Sequence, residues 1–193
     1  MAEGLLATTA DANVNSIPGV WLRIPNTKPP RDGGVWRFKT LPEVQVQKDA
    51  TYGDVTILGR SSPVKTYSGS GYRKLSVTFH LHSFSEADKN YNLLFIRALD
   101  SLLHPIYEDT YMPPPVAQFR CGNLVGQMSN ASTSLGSYVH VICMNTSYTL
   151  DPSVVWIGRI DLFPVYISVQ ASFDIVYPFS ELPGQKDVIN GNY

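Results

Sequence analysis

The chain has 193 residues, with 15 Lys and Arg against 16 Asp and Glu and a formal net charge of −1. That length fits one domain with an extension, and near-neutrality removes any global electrostatic pull toward nucleic acid or an anionic membrane. Charged residues make up 16% of the chain, well below the roughly 25% of a typical soluble domain, so the surface is either uncharged polar or covered by other subunits.

Residues 1–42 read as a Pro-rich extended arm. Pro18, Pro25, Pro29, Pro30 and Pro42 argue against helices and central strands, because proline lacks an N–H and fixes φ. Trp21, Trp36 and Phe38 are large apolar anchors within it. A disordered tail rarely carries two tryptophans, so the arm is expected to dock on its own domain or on a neighbour. Met1 to Asn15 lacks the basic and apolar pattern of a signal peptide, and no apolar run is long enough to span a membrane. The expectation is synthesis in a cytoplasm.

Short β segments follow at Glu43–Lys48, Asp54–Leu58 and Pro63–Tyr67, with a hairpin or loop between Asp49 and Ser62. Ser68-Gly-Ser-Gly71 reads as a turn. Tyr72–Phe84 is the clearest strand: Leu75, Val77, Phe79 and Leu81 alternate with Ser76, Thr78, His80 and His82, which buries one face and leaves the other polar.

The period then changes. Ser85 is placed to cap a helix over 86–103, with Ala87, Tyr91, Leu94, Phe95, Ala98, Leu99, Leu102 and Leu103 on one apolar face and His104-Pro105 ending it. Tyr111-Met-Pro-Pro-Pro115 is a stiff connector, Val116–Cys121 a strand, and Gly122–Gly136 a polar loop. Tyr138–Leu150 and Pro164–Tyr177 are long alternating strands, and Ser153–Ile157 is a short one. The predicted fold is mainly β, a sandwich or barrel with one flanking amphipathic helix, in which a second sheet layer covers what the helix does not. The domain is expected over 43–178, with a tail over 179–193. Strands this long leave exposed edges, and such edges are normally covered or paired.

Chemistry is sparse. The sequence has no Gly-rich phosphate loop, no nucleophile elbow and no H-E-x-x-H helix. His80 and His82 share one strand face, a spacing that supplies two zinc ligands, with His140 as a third from another strand; the competing reading is two polar residues on a wetted face. Glu108-Asp109 are adjacent carboxylates in a loop, without sign of convergence on a site. Cys121 and Cys143 read as free, partly buried thiols. Lysine and arginine are scattered, without a basic cluster for nucleic acid. No cofactor and no enzymatic role are expected.

One resemblance emerges from the order of these segments. Ile57-Leu-Gly-Arg60-Ser-Ser-Pro-Val64-Lys-Thr-Tyr67, a Gly-rich turn and Arg73-Lys-Leu-Ser-Val-Thr-Phe79 resemble the start of the tail-tube-like domain of baseplate tube and hub proteins in contractile-tailed bacteriophages. The helix from Asp88 to Leu103 is similar to the one that follows there. Pro113-Pro-Pro-Val-Ala-Gln-Phe-Arg-Cys-Gly122 resembles the family's P-P-x-V-x-F-x-W-G strand, with Cys121 where an aromatic is common. Val141–Leu150 and Val165–Phe173 are similar to its two closing strands. The resemblance covers about residues 43–178, and the chain departs from larger tube initiators in having no recognisable LysM segment.

This resemblance implies a structural virion protein: a hexameric ring of the baseplate hub or inner tail tube, joining spike or hub to tube and lining the DNA channel. The implied partners are identical copies, adjacent tail-tube, hub or baseplate wedge proteins, and genomic DNA in unspecific passage, with no membrane. The implied location is the virion, after assembly in the host cytoplasm. Lumen-facing candidates are Thr78, His80, His82, Ser168, Gln170 and Ser172. Trp21, Trp36, Phe38, Tyr52 and Ile57 are the candidates for inter-subunit contacts through the arm and the hairpin 49–67. The alternative is a carbohydrate- or receptor-binding β module of a tail.

Overall fold

The computed structural model describes residues 16–17, 19–25, 34–56, 58–59, 61–107, 111–122, 125, 138–150, 153–157 and 162–177. In chain order its elements are β1 (Val20–Arg23), β2 (Val35–Arg37), β3 (Glu43–Val55), β4 (Val64–His82), α1 (Glu86–Ser101), β5 (Ile106–Tyr107), β6 (Tyr111–Met112), β7 (Ala117–Cys121), β8 (Val139–Thr149), β9 (Trp156–Ile157), β10 (Phe163–Pro164) and β11 (Tyr166–Val176). Seven strands form one antiparallel sheet in the order β2-β1-β7-β8-β11-β4-β3, and β5-β6 and β9-β10 are two-stranded pairs.

The period-two pattern sets the core. Leu75, Val77, Phe79 and Leu81 of β4 are buried beside Ile167, Val169, Ala171, Phe173 and Ile175 of β11 and Val139, Val141 and Cys143 of β8. Helix α1 covers this face through Phe95, Ala98, Leu99 and Leu102. Phe38, Phe79 and Phe95 meet ring to ring at 4.7–5.2 Å, a spacing that favours aromatic pairs. The mainly β class with one long helix therefore holds. The layer packed on the sheet is the helix, whose Tyr91 and Phe95 rings meet Trp36 of β2, and Phe95 also Phe38; among the described residues no second large sheet covers it.

Ser85 caps α1 as expected, with extended backbone and its hydroxyl accepting from the Asp88 N–H at 3.2 Å. The helix stops at Ser101 rather than Leu103. Leu102, Leu103 and His104 bond to the carbonyls three residues back, which tightens the last turn before Pro105. Leu94 and Leu103 face outward, and Asp88 and Asn92 take buried places instead.

Two expectations are corrected. The first is the arm boundary at residue 42. Strand β1 lies inside the sheet between β2 and β7, with Leu22 opposite both Trp36 and Phe119. Trp36 is 1% exposed and Phe38 5%, both in the core, and Trp21 is 4% exposed on the opposite sheet face beside Tyr138. These three residues are anchors of the chain's own fold, not exposed contacts for another subunit. Proline forbids itself a ladder bond, but β1 lies between Pro18 and Pro25 and contains neither.

The second correction is the turn at 68–71. β4 runs through Gly69 and Gly71 without interruption, and neither has a positive φ. The register against β3 slips between Lys48 and Ala50 and between Thr51 and Tyr52. Glycine here absorbs the twist and bulging of a long ribbon instead of reversing the chain.

Candidate functional site

The four long strands β3, β4, β11 and β8 share a face turned away from the helix. Antiparallel register arranges its side chains in cross-strand rows. His80, Ser168 and Thr149 form one row; Glu43, Thr78, Gln170 and Ser147 the next; Gln45, Ser76, Ser172 and Asn145 the third. The lumen-facing candidates Thr78, His80, Ser168, Gln170 and Ser172 thus come together, with His82 opposite Tyr166 at the end of the face. All are exposed or half-buried. The sequence alone did not reveal Gln45, Asn145, Ser147 and Thr149 as neighbours, because that depends on strand order.

This wall is hydroxyl and amide, with Glu43, Lys74 and Asp174 at its margins. Gln170 donates to Ser76 across the strands at 3.4 Å. At the His82 end the rings pack on each other: His82 is parallel to Phe84 at 5.8 Å, and His80 nearly parallel to Tyr166 at 6.0 Å. Tyr166 Oη lies 2.7 Å from His80 Nδ1, and Glu43 lies 3.5 Å from His80 Nε2. A neutral imidazole satisfies both, accepting the tyrosine O–H at Nδ1 and offering Nε2–H to the carboxylate.

Both sides of the four-strand unit end in edges that are free among the described residues. β3 is the sheet's terminal strand, with thirteen residues and no strand beyond it among those described. β8 pairs with β7 only over Val139–Val141, so Ile142–Thr149 has no strand on that side among the described residues. Pro113, Pro114 and Pro115 precede Val116 and β7 in the chain, where an extended β7 would run past Cys143–Asn145. Proline cannot supply the ladder N–H, so the pairing stops.

Beyond Lys48 and Arg73, β3 and β4 leave β11 behind and continue as a two-stranded ribbon. None of its described residues is buried. Tyr52 is 56% and Tyr67 61% exposed, their rings meeting edge to face at 5.7 Å. Lys65 and Asp54 pair at 2.8 Å. Tyr52 sits where the hairpin reading placed it; Ile57 lies outside the described residues, as do Glu108 and Asp109.

A cleft lined by Arg37, Lys39, His80, His82, Asp88, Tyr91 and Asn92 opens where β4 runs past the start of β3. Lys39 Nζ lies 2.6 Å from Asp88 Oδ1. Burial pushes the Asp88 carboxyl upward, but the Lys39 hydrogen bond and charge, the Ser85 hydroxyl and the Phe84 N–H outweigh it and hold the group below its ordinary 3.8. A depressed folded value gives stability that is present above 3.8 and lost as pH falls through the lowered value. Asp88→Asn is therefore expected to cost about 1–2 kcal/mol at neutral pH. The difference from wild type should shrink in acid, read by urea denaturation at several pH values.

Among the described residues no three His, Cys, Asp or Glu side chains converge to hold a metal ion. His140 cannot join His80 and His82: it lies opposite Val176, whereas His80 lies opposite Ser168, a separation of about 26 Å along β11. Both thiols are free; burial raises Cys121 and pushes Cys143 up to about 11. Asp100 of α1 accepts a hydrogen bond from the Thr146 hydroxyl at 3.0 Å.

No protein-family model matches the chain, and no curated protein sequence matches it. Among solved structures it is similar to a chain from the tail of an empty gene transfer agent (GTA) particle refined with helical, C6 symmetry. The TM-score is 0.36 with 11% identity, covering 85% of this chain and 96% of that one. A chain from the virion of a native gene transfer agent particle gives a TM-score of 0.35 with 10% identity, covering 82% and 96%.

Proposed function

We propose that this protein is a structural component of a phage-type tail, in which identical copies join edge to edge into a ring whose inner wall is the polar face. The observation that carries this reading is the pair of edges on β3 and β8 that no described strand covers, flanking four long strands whose polar face is mostly hydroxyl and amide. Exposed edges of this length are normally paired. An even number of strands is also compatible with such a ring. β8 is antiparallel to β3 within one copy, so rotation about an axis along the strands brings the next β3 against β8 in antiparallel sense. Every ladder around the ring is then alike, and one heterologous contact repeats until it closes.

Ring size follows from strand spacing. Six copies place about 24 strands around the axis, with a backbone diameter of ~48 Å at a ~40° tilt. Inward side chains take ~5 Å from each wall, leaving a bore that passes duplex DNA. Three copies give a backbone diameter of only ~24 Å, and the remaining bore of ~14 Å is too narrow for a duplex. The sixfold ring is the proposal, placed in the inner tube or at the hub end of it. A wall of Ser, Thr, Asn and Gln lets DNA slide because it offers phosphates no fixed cation.

Averaged electron micrographs of assembled protein test the proposal. The expected image is a six-copy ring with a continuous inner wall of strands. A particle in which β3 and β8 of different copies do not meet would overturn it.

A further inference from the structure

One cleft, at the end of the polar face where it meets the helix, gains net positive charge on protonation. His80 and His82 lie on the same side of β4 and line the cleft with Arg37, Lys39 and Asp88. The groups facing them are Glu43 from β3, Tyr166 from β11, Arg37 and Lys39 from β2 and the segment after it, and Asp88 and Tyr91 from α1. Among the described residues, with neutral imidazoles the two cations, Arg37 and Lys39, balance the two carboxylates, Glu43 and Asp88. With both imidazoles charged, the same patch carries a net charge of about +2 per copy.

The rest of the wall has no titratable group in its central rows apart from Glu43. The His80 imidazole keeps 22% of its surface open. On protonation it loses the Tyr166 O–H as a donor to Nδ1, since both ring nitrogens then carry protons, and the phenol turns to accept. The clasp between β3, β4 and β11 survives that change, so charge is added without dismantling the wall.

We infer that the His80/His82 end of the polar face is a protonation-dependent binding site for a phosphate backbone. Resting on the ring proposed above, the site repeats around the bore as a belt at one mouth: inert to DNA when neutral, a brake on it when charged. Two added cations per copy raise the salt slope of binding by about 1.8 per copy engaged. Repetition around a ring multiplies a weak individual contact.

The test uses the full chain and a 20-base-pair DNA duplex at low salt, read by fluorescence anisotropy at about pH 5.5 and about pH 8. Binding is expected to be at least tenfold tighter at the lower pH. The His80→Gln/His82→Gln double variant should lose that difference. His104→Gln/His140→Gln removes as many imidazoles elsewhere and should keep it. Glu43→Gln, which leaves both imidazoles in place, should bind more tightly than wild type at either pH, and it serves if the double variant does not fold. No pH dependence in wild type, or equal loss in the two double variants, overturns the inference. Particle mass on the same samples separates it from the ring proposal: monomers that still bind in acid keep the site and remove the ring, and rings that never bind do the reverse.

Discussion

Replacing Trp36 by alanine should cost about 3–5 kcal/mol, the range for removing a large aromatic from a packed interior. The side chain is 1% exposed, 5.1 Å from the Tyr91 ring and 5.5 Å from Phe95. It bridges β2 to α1, and Tyr91 Oη at once donates to the Arg37 carbonyl at 3.0 Å and accepts its N–H at 2.9 Å. A domain of this size is stable by about 5–15 kcal/mol, so the loss takes a large share. Urea denaturation followed by far-UV circular dichroism reads it. Trp36→Phe should cost less, because the second ring is refilled in part. Deleting residues 1–40 removes β1, β2, Leu22, Trp36 and Phe38 together, and an unfolded product is the expected result. A cost below about 1 kcal/mol for Trp36→Ala would return the segment to the status of a docking arm.

That outcome marks where the sequence could be read and where it could not. β4 and β11 were legible because an alternating run of nine or more residues has only one way to bury its apolar half. Helix α1 was legible from its cap and its period. β1 and β2 were not: strands of four and three residues hold no measurable period, and the prolines around them pointed elsewhere. The burial of Asp88 and Asn92 in the helix was missed because it is polar. Asn92 donates to the His82 carbonyl at 3.1 Å and to Ser83 at 2.8 Å, and Asp88 holds Lys39. A hydrophobicity pattern gives no sign of side chains buried for their hydrogen bonds. The free edge of β8 did have a sequence signal in Pro113–Pro115, but it becomes readable only once β7 is known to lie beside β8.

Removing the ribbon should separate folding from assembly. Lys48 and Arg73 are direct cross-strand partners, so residues 49–72 can be replaced by Asn-Gly, the pair that best closes a two-residue hairpin. No described residue removed is buried, and the core loses no side chain. The shortened chain should melt within a few degrees of wild type. Its assembly should fail. An isolated two-stranded hairpin is marginal in water, yet this one extends ~26 Å past its last supporting strand and exposes Tyr52, Val55, Tyr67 and Tyr72. Such a projection is stable when a neighbour covers it, and aromatic side chains are what interfaces most often bury. Sedimentation of the two proteins side by side reads the result: a folded monomer from the shortened chain where the full chain forms rings. If the shortened chain still closes rings, the β3 and β8 edges suffice alone, and the ribbon's partner lies along the axis in the next layer of the tail.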